Sequence, residues 1–345
     1  MLIALFIIFV IIALLPLFVK PVEEHIELFL LVMGLTATIV AGALNTQNLM
    51  EIFKDKFLYI ITFAVFFVSI LFRLLENKVQ TFVNFILKHL SLKLVVFFLI
   101  LVLGLLSSVI TAIIASLLLT EVVSILPLDR KNKIRVCVAA CLSIGLGACL
   151  TPIGEPLSTI VTSKLHEDFF YIFRIIGVEM IVGVVLSAII GTFFVDNNWH
   201  KKFKDNNELI FIPEKEDGRK IILRTVKIFM FVVALMLLGY GFRPIIDTYV
   251  IHFNNNLLFA GNMVSAILDN ATLAAAEISP VMSVLQIKVV LISLLVSGVM
   301  LVTGNIPNIV TASKLKISMK EWAKSGLPIG AVFLTGYYII LFVVK

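Results

Sequence analysis

Five acidic side chains stand inside apolar stretches of this sequence: Glu121, Glu155, Glu179, Asp269 and Glu277. Two of them sit among chain-breaking or polar residues. Glu155 closes the run Thr151-Pro152-Ile153-Gly154-Glu155-Pro156, and Asp269 belongs to Leu268-Asp269-Asn270-Ala271-Thr272. Burying a carboxylate in hydrocarbon costs several kcal/mol, so such a group is rarely left without a task. Hydroxyls and amides nearby add neutral oxygens. Ser107, Ser108 and Thr111 can face Thr151 and Glu155, while Asp269, Asn270 and Thr272 can face Thr303, Asn305 and Asn308. Oxygen-only ligand sets suit a hard cation, here sodium, with Asp269, Asn270, Asn305, Ser108 and Thr151 as the foremost ligands. Dehydration raises a carboxyl group's pKa and a bound cation lowers it, so sodium and protons can compete for one group. Asp269 is the first candidate for that group and Glu155 the second.

Plainer readings stand beside these. Ser and Thr in membrane helices commonly bond to backbone or join helices, and proline commonly only kinks. Pairing with a lysine or a helix end would account for Glu121, Glu179 and Glu277. Cys137 and Cys141 share a helix face, and with Cys149 they read as small residues at helix contacts. The five histidines fall near span ends or in loops and read as interfacial.

The elements that must hold these groups are set by composition. Of 345 residues, 60% are hydrophobic and 14% charged. A soluble domain carries about 25% charged residues, so a soluble enzyme or a nucleic-acid-binding module is excluded. The net charge of +6 is ordinary for a membrane protein, in which Lys and Arg collect in cytoplasmic loops.

Hydropathy predicts N-terminal membrane helices within 1–56, at 2–19 and 26–44, the first retained as a helix because it lacks a basic leader and a cleavage motif. A first repeat covers 57–195, with spans at 57–72 and 171–195. Between them lie an interfacial segment at 73–93, a re-entrant hairpin at 94–126 turning at 107–111, and a broken helix at 134–165. The hairpin stretch is too long for one span of about 20 residues and too short for two. Pro and Gly break the following helix, and irregular backbone at that depth survives only inside protein or beside a watery cavity. A hydrophilic cytoplasmic linker fills 196–220. The second repeat, 221–345, replays the order with a span at 221–242, a hairpin at 245–285, a broken helix at 287–315 and a span at 325–344. Ile160-Val161-Thr162-Ser163-Lys164-Leu165 matches Ile309-Val310-Thr311-Ala312-Ser313-Lys314-Leu315 with a one-residue gap. The fold expected is an all-α polytopic membrane protein, an inverted repeat with two re-entrant hairpins and two broken transmembrane helices. Threading it with 73–93 in the cytoplasm puts 21 of the 28 Lys/Arg on that side and both termini outside the cell membrane.

The segments 147–158, 268–277 and Thr303-Gly304-Asn305-Ile306-Pro307-Asn308-Ile309-Val310 resemble the ion-transporter superfamily, which includes D-type sodium/proton antiporters, arsenite permeases and sodium/dicarboxylate symporters. Within it the sequence looks closest to a poorly characterised prokaryotic family of cation transporters. The resemblance implies paired hairpins and unwound helices around a central site, often in a homodimer. The Asp269-Asn270 tip is similar to the antiporter and arsenite-permease pattern. Symporters of this group carry Ser-Asn-Thr tips in both halves, and this sequence has Ser107-Ser108 and Asp269-Asn270 instead.

The function expected is alternating-access sodium/proton antiport. Its partners are the lipid bilayer and a small inorganic cation, with no nucleic acid and no cofactor beyond sodium as transported or coupling ion. The alternative is a sodium-coupled oxyanion or dicarboxylate symporter or an arsenite-type permease. No metalloprotease or serine-hydrolase motif is present, so the reading is not that of an enzyme.

Overall fold

In a computed structural model, the described residues are 1–19, 21–22, 25–56, 90–152, 154–165, 167–195, 218–249, 254–267, 270–278, 282–343 and isolated positions between 58 and 74. Among them every regular element is helical. The expected span at 57–72 and interfacial segment at 73–93 fall largely outside these residues, as do most of the linker 196–220 and Asp269.

The N-terminal helices are α1 (Leu2–Phe18), α2 (Ile26–Val40) and the short α3 (Thr46–Lys54), which Asn45 caps by accepting from the Asn48 amide. Next come α4 (Leu92–Ile110) and α5 (Ala112–Ile125), separated by Thr111 alone. Then α6 (Arg130–Ala148) ends at a break and the chain resumes as α7 (Pro156–Leu165), followed by α8 (Tyr171–Phe193). The second half holds α9 (Gly218–Tyr249), α10 (Asn255–Gly261) running into a 3-10 turn at Asn262–Ala266, and α11 (Asn270–Glu277). It closes with α12 (Val284–Gly298), a break containing a 3-10 turn at Val302–Gly304, α13 (Ile306–Leu315) and α14 (Met319–Phe342).

Among the described residues, four helices are long and apolar enough to cross a membrane: Leu92–Ile110, Tyr171–Phe193, Ile221–Ile245 and Met319–Phe342. Their outward faces carry large apolar side chains, such as Val109, Val178, Phe193 and Val332, at 65–76% exposure. An aqueous surface would not favour so many, whereas lipid does. The chain reads as a membrane protein.

Three elements depart from the sequence expectation. The first hairpin was expected to turn at 107–111, but α4 runs unbroken to Ile110, 19 residues or about 28 Å at 1.5 Å per residue. It continues through Ser107-Ser108 because both hydroxyls donate back to carbonyls one turn earlier, Gly104 at 2.6 Å and Leu105 at 2.8 Å. The break falls only at Thr111, whose φ of 76° and ψ of 150° stop the helix. Helix α9 runs past the expected end at 242, through Pro244, to Tyr249. Helix α14 starts at Met319 rather than 325, because Ser318 and Glu321 form a capping box.

Small residues set the helix contacts. A Cβ on Gly34 would lie 2.9 Å from the Ala234 carbonyl oxygen, and one on Gly241 would lie 2.6 Å from Ala37 Cβ, so α2 and α9 nearly touch at the backbone. Thr38 Oγ1 donates across the same contact to Leu237 O at 2.8 Å. Helix α6 is buried almost all round between α4, α8, α13 and α14, as a central helix must be.

Candidate functional site

The two breaks are built alike. Helices α6 and α12 end at Ala148 and Gly298, and the chain resumes at Pro156 and Ile306 in ten-residue helices, each event 150 positions from its counterpart. The equal lengths remove the one-residue gap that the sequence match needed. Position 155 therefore answers to 305, so Glu155 and Asn305 occupy matching places immediately before a helix. Both are buried, at 5% and 3% exposure. The next pair, Ser158 and Asn308, closes each break in the same way. Ser158 Oγ donates to Cys149 O at 2.7 Å, and Asn308 Nδ2 donates to Gly298 O at 2.8 Å and Leu301 O at 2.9 Å.

Each break is stitched to the preceding helical arm. In the first half Thr151 Oγ1 donates to Ser108 O, Ala112 N donates to Gly154 O at 2.8 Å, and Ser107 Oγ donates to Ile144 O at 2.9 Å. In the second, Thr303 Oγ1 donates to Ala266 O at 3.3 Å and Ser265 Oγ to Leu294 O at 3.1 Å. Ser107 thus matches Ser265, and Ala112, the first residue of α5, matches Asn270, the first of α11. Counting on from these matches, Thr111 corresponds in sequence to Asp269.

The halves meet at these breaks. Asn305 lies against α6, its Nδ2 2.8 Å from where a Cβ on Gly145 would sit. Cys141 Sγ packs on α13, 3.3 Å from Thr311 Oγ1. Helix α5 of the first half lies along α13 of the second, and α11 lies along α7. Glu121 and Lys314 form an ion pair near the far ends of α5 and α13, while Ile113 and Ile306 share an apolar cluster at their starts. The two helices therefore run the same way from the break. Helix α14 secures the second break: Trp322, fully buried, donates Nε1–H to Val299 O at 2.9 Å.

The predicted site residues divide on this geometry. Ser107, Ser108, Thr111 and Thr151 come together at the first break. Thr303, Asn305 and Asn308 form the second. Asn270 is buried and its Nδ2 has no hydrogen-bond partner among the described residues, nor does Asn308 Oδ1. Thr272 lies in α11 with its side chain outside the described residues, and Asp269 is outside them altogether. Sequence reasoning passed over Ser158 and Ser265, the hydroxyls that tie helix to break. Their signal was a Ser one turn into a resuming helix and a Ser just before a polar tip.

Glu121 and Glu179 have plainer roles. Glu121 pairs with Lys314, and Glu179 with Lys288 at 3.3 Å. Outside the apolar segments, Arg174 beside Asp168, at 2.6 Å, and the Phe170 amide hold the Asp168 carboxyl below the usual carboxylate range. Among the described residues, no three His, Cys, Asp or Glu side chains cluster in a way that could hold a metal ion.

A family model described as a protein of unknown function (DUF1646) matches residues 2–344. No curated protein matches the chain.

Proposed function

The chain belongs to the DUF1646 family, and from that premise and the paired breaks we propose that it is a secondary active transporter of a small cation, working as a sodium/proton antiporter by alternating access. One observation carries the reading. Two helix breaks of equal length leave Glu155, Asn305 and Asn308 buried in an otherwise apolar helical protein, and Asn270 is buried at the start of α11. Buried polar groups at interrupted helices are how carriers build ion sites.

Further support comes from pairs that join residues on one face of the inverted-repeat threading. They are Lys227 with Glu27 at 3.4 Å, Lys288 with Glu179, and Lys314 with Glu121. In this reading α4–α5 and α10–α11 are the two hairpins, and the plasma membrane is the location. Asp269 and Glu155 are the exchanging carboxylates. Asn270, Thr272, Asn305, Thr303, Ser107, Ser108, Thr111 and Thr151 are the accompanying ligand candidates, with sodium bound through neutral oxygens. Thr111 adds a physical hint, because a β-branched residue in a backbone region nearly reserved for glycine is the kind of strain that gathers at functional sites.

A second reading, an anion carrier, draws on the helix starts. Helices α5, α7, α11 and α13 all begin at a tip or break, and such ends carry partial positive charge. The test separates the two. Purified protein is reconstituted into vesicles holding a pH dye, and a sodium gradient is imposed. Antiport predicts a pH change of opposite sense to the sodium flux. Sodium-dependent uptake of a labelled anion without proton movement would replace the first reading with the second.

A further inference from the structure

One buried carboxylate is not used by either break. Glu277 ends α11 at 3% exposure, and its side chain is hydrogen-bonded to Asn262. Asn262 is itself buried and donates Nδ2–H to Ser293 Oγ at 3.0 Å. Ser297 Oγ donates to the Asn262 carbonyl at 2.7 Å. Glu277 Oε2 has no hydrogen-bond partner among the described residues. Asn262 thus bonds the carboxyl group, Ser293 and Ser297 of α12 hold Asn262, and one carboxyl oxygen is left without a partner among the described residues.

The first half shows what this place looks like without them. Counting from the starts of α5 and α11, Leu119 matches Glu277 and Gly104 matches Asn262. Counting from the ends of α6 and α12, Ser143 matches Ser293 and Gly147 matches Ser297. The backbone contact is the same, since a Cβ on Gly147 would lie 1.7 Å from Gly104 O, where Ser297 bonds Asn262 O. The first half fills the place with two glycines and a fully buried Leu119. An apolar solution therefore packs this backbone, and the second half replaces it with a carboxyl, an amide and a hydroxyl. A buried polar group of this kind lowers stability unless it serves something else.

We propose that Glu277, held by Asn262 and backed by Ser293 and Ser297, is a proton-binding site separate from the sodium ligands at the breaks. An ionised carboxylate at such depth needs a cation or several donors. Asn262 supplies one neutral hydrogen bond, which is less than the ionised form needs. The described charged and titratable groups on the surrounding elements are as follows. On α12, Lys288 pairs with Glu179. On α9, Lys227 pairs with Glu27, Tyr240 donates to Glu51 at 2.7 Å, and Arg219 and Arg243 complete its described cations. The 3-10 turn at Asn262–Ala266 carries no titratable side chain. On α7, Lys164 has its side chain outside the described residues. The site rests on the antiport reading and deepens it by adding a second proton-bearing group that relays protons to the exchanging carboxylates.

The experiment is infrared difference spectroscopy of the full chain in lipid at neutral pH. Wild type minus Glu277→Gln should contain the carbonyl stretch of a protonated carboxyl group, shifting on transfer to heavy water. Asn262→Ala, which keeps the carboxyl, should move that band to higher frequency. A difference spectrum with only ionised-carboxylate bands would overturn the proposal. So would a band that Asn262→Ala leaves in place, and this second variant decides the matter if Glu277→Gln does not fold. In vesicles, Glu277→Gln should lose sodium-driven proton flux. If the wild-type protein moves no cation, the antiport reading falls, while the band still decides whether Glu277 holds a proton.

Discussion

Replacing Gly147 with alanine tests the architecture at its tightest point. The new Cβ would lie 1.7 Å from the Gly104 carbonyl oxygen and 2.6 Å from its carbon, both backbone atoms. Ordinary contact needs about 3.5 Å, so α4 and α6 must separate by roughly 1.8 Å or bend locally. No side chain can rotate away to absorb this. Separation would also stretch the hydrogen bonds from Ser107 Oγ to Ile144 O and from Ser143 Oγ to Ile100 O, at 2.9 and 3.0 Å. Overpacking a closed core costs about 1–3 kcal/mol, and a backbone-on-backbone clash belongs at or above the top of that range. The comparison variant is Gly336→Ala in α14, where an added Cβ meets nothing within 4 Å. There alanine should stabilise by up to about 1 kcal/mol through helix propensity. Equilibrium unfolding in mixed micelles should place the two variants on opposite sides of wild type. Unfolding free energies within about 0.5 kcal/mol of each other would refute the close approach of α4 and α6.

Thr111→Gly should be neutral or stabilising, by about 1 kcal/mol or more, because glycine adopts φ of 76° without penalty. A clear loss of stability by the same micelle measurement would show that Thr111 is not strained. Asn308→Ala removes the amide that serves both Gly298 O and Leu301 O and should cost about 1–3 kcal/mol. Thr335→Ala, whose hydroxyl bonds Ala331 O on the exposed face of α14, should stay within about 0.5 kcal/mol of wild type, and equal effects of the two would contradict the assignment. Asp168 has a folded pKa lowered chiefly by its hydrogen bonds to Arg174. Its stabilising contribution is therefore present above the unfolded value of about 3.9 and lost as pH falls through the lowered one. Magnetic-resonance titration should find its midpoint below that of an unstructured peptide, and Arg174→Gln should raise it. A midpoint at or above the peptide value would refute the pairing.

Much of this fold is written in the residue pattern. That two helices break was legible from the Gly/Pro/Thr clusters, but the bounds were not. Gly145 and Gly147 continue α6, and the second break opens at 299, ahead of Thr303, and closes before Pro307. The length of α4 was not legible, since Ser107 and Ser108 look like a turn until their hydroxyls are seen to bond one turn back. The span expected to end at 242 continues as α9 through Pro244, with Thr248 Oγ1 donating to the Pro244 carbonyl at 2.7 Å. The start of α14 could have been read from Ser318-Met319-Lys320-Glu321, a capping-box sequence. Internal register was the hardest feature. Matching threonines pairs Ser108 with Asp269, whereas counting on from Ser107 and Ser265, matched by their hydrogen bonds, pairs Thr111 with it in sequence. Register of that kind depends on which carbonyl a side chain meets across the fold, which sequence spacing does not contain. The same is true of Asn262 and Glu277, which lie fifteen positions apart in the chain and meet only when α11 folds back beside the 3-10 turn.

The central claim is that a cation and a proton exchange on Asp269 and Glu155. Its most direct test is sodium-driven pH change in vesicles carrying the wild-type chain, Asp269→Asn or Glu155→Gln, at matched protein content. The account predicts exchange in wild type, its abolition in Asp269→Asn and a severe loss in Glu155→Gln. Exchange at the wild-type rate in Asp269→Asn would contradict it.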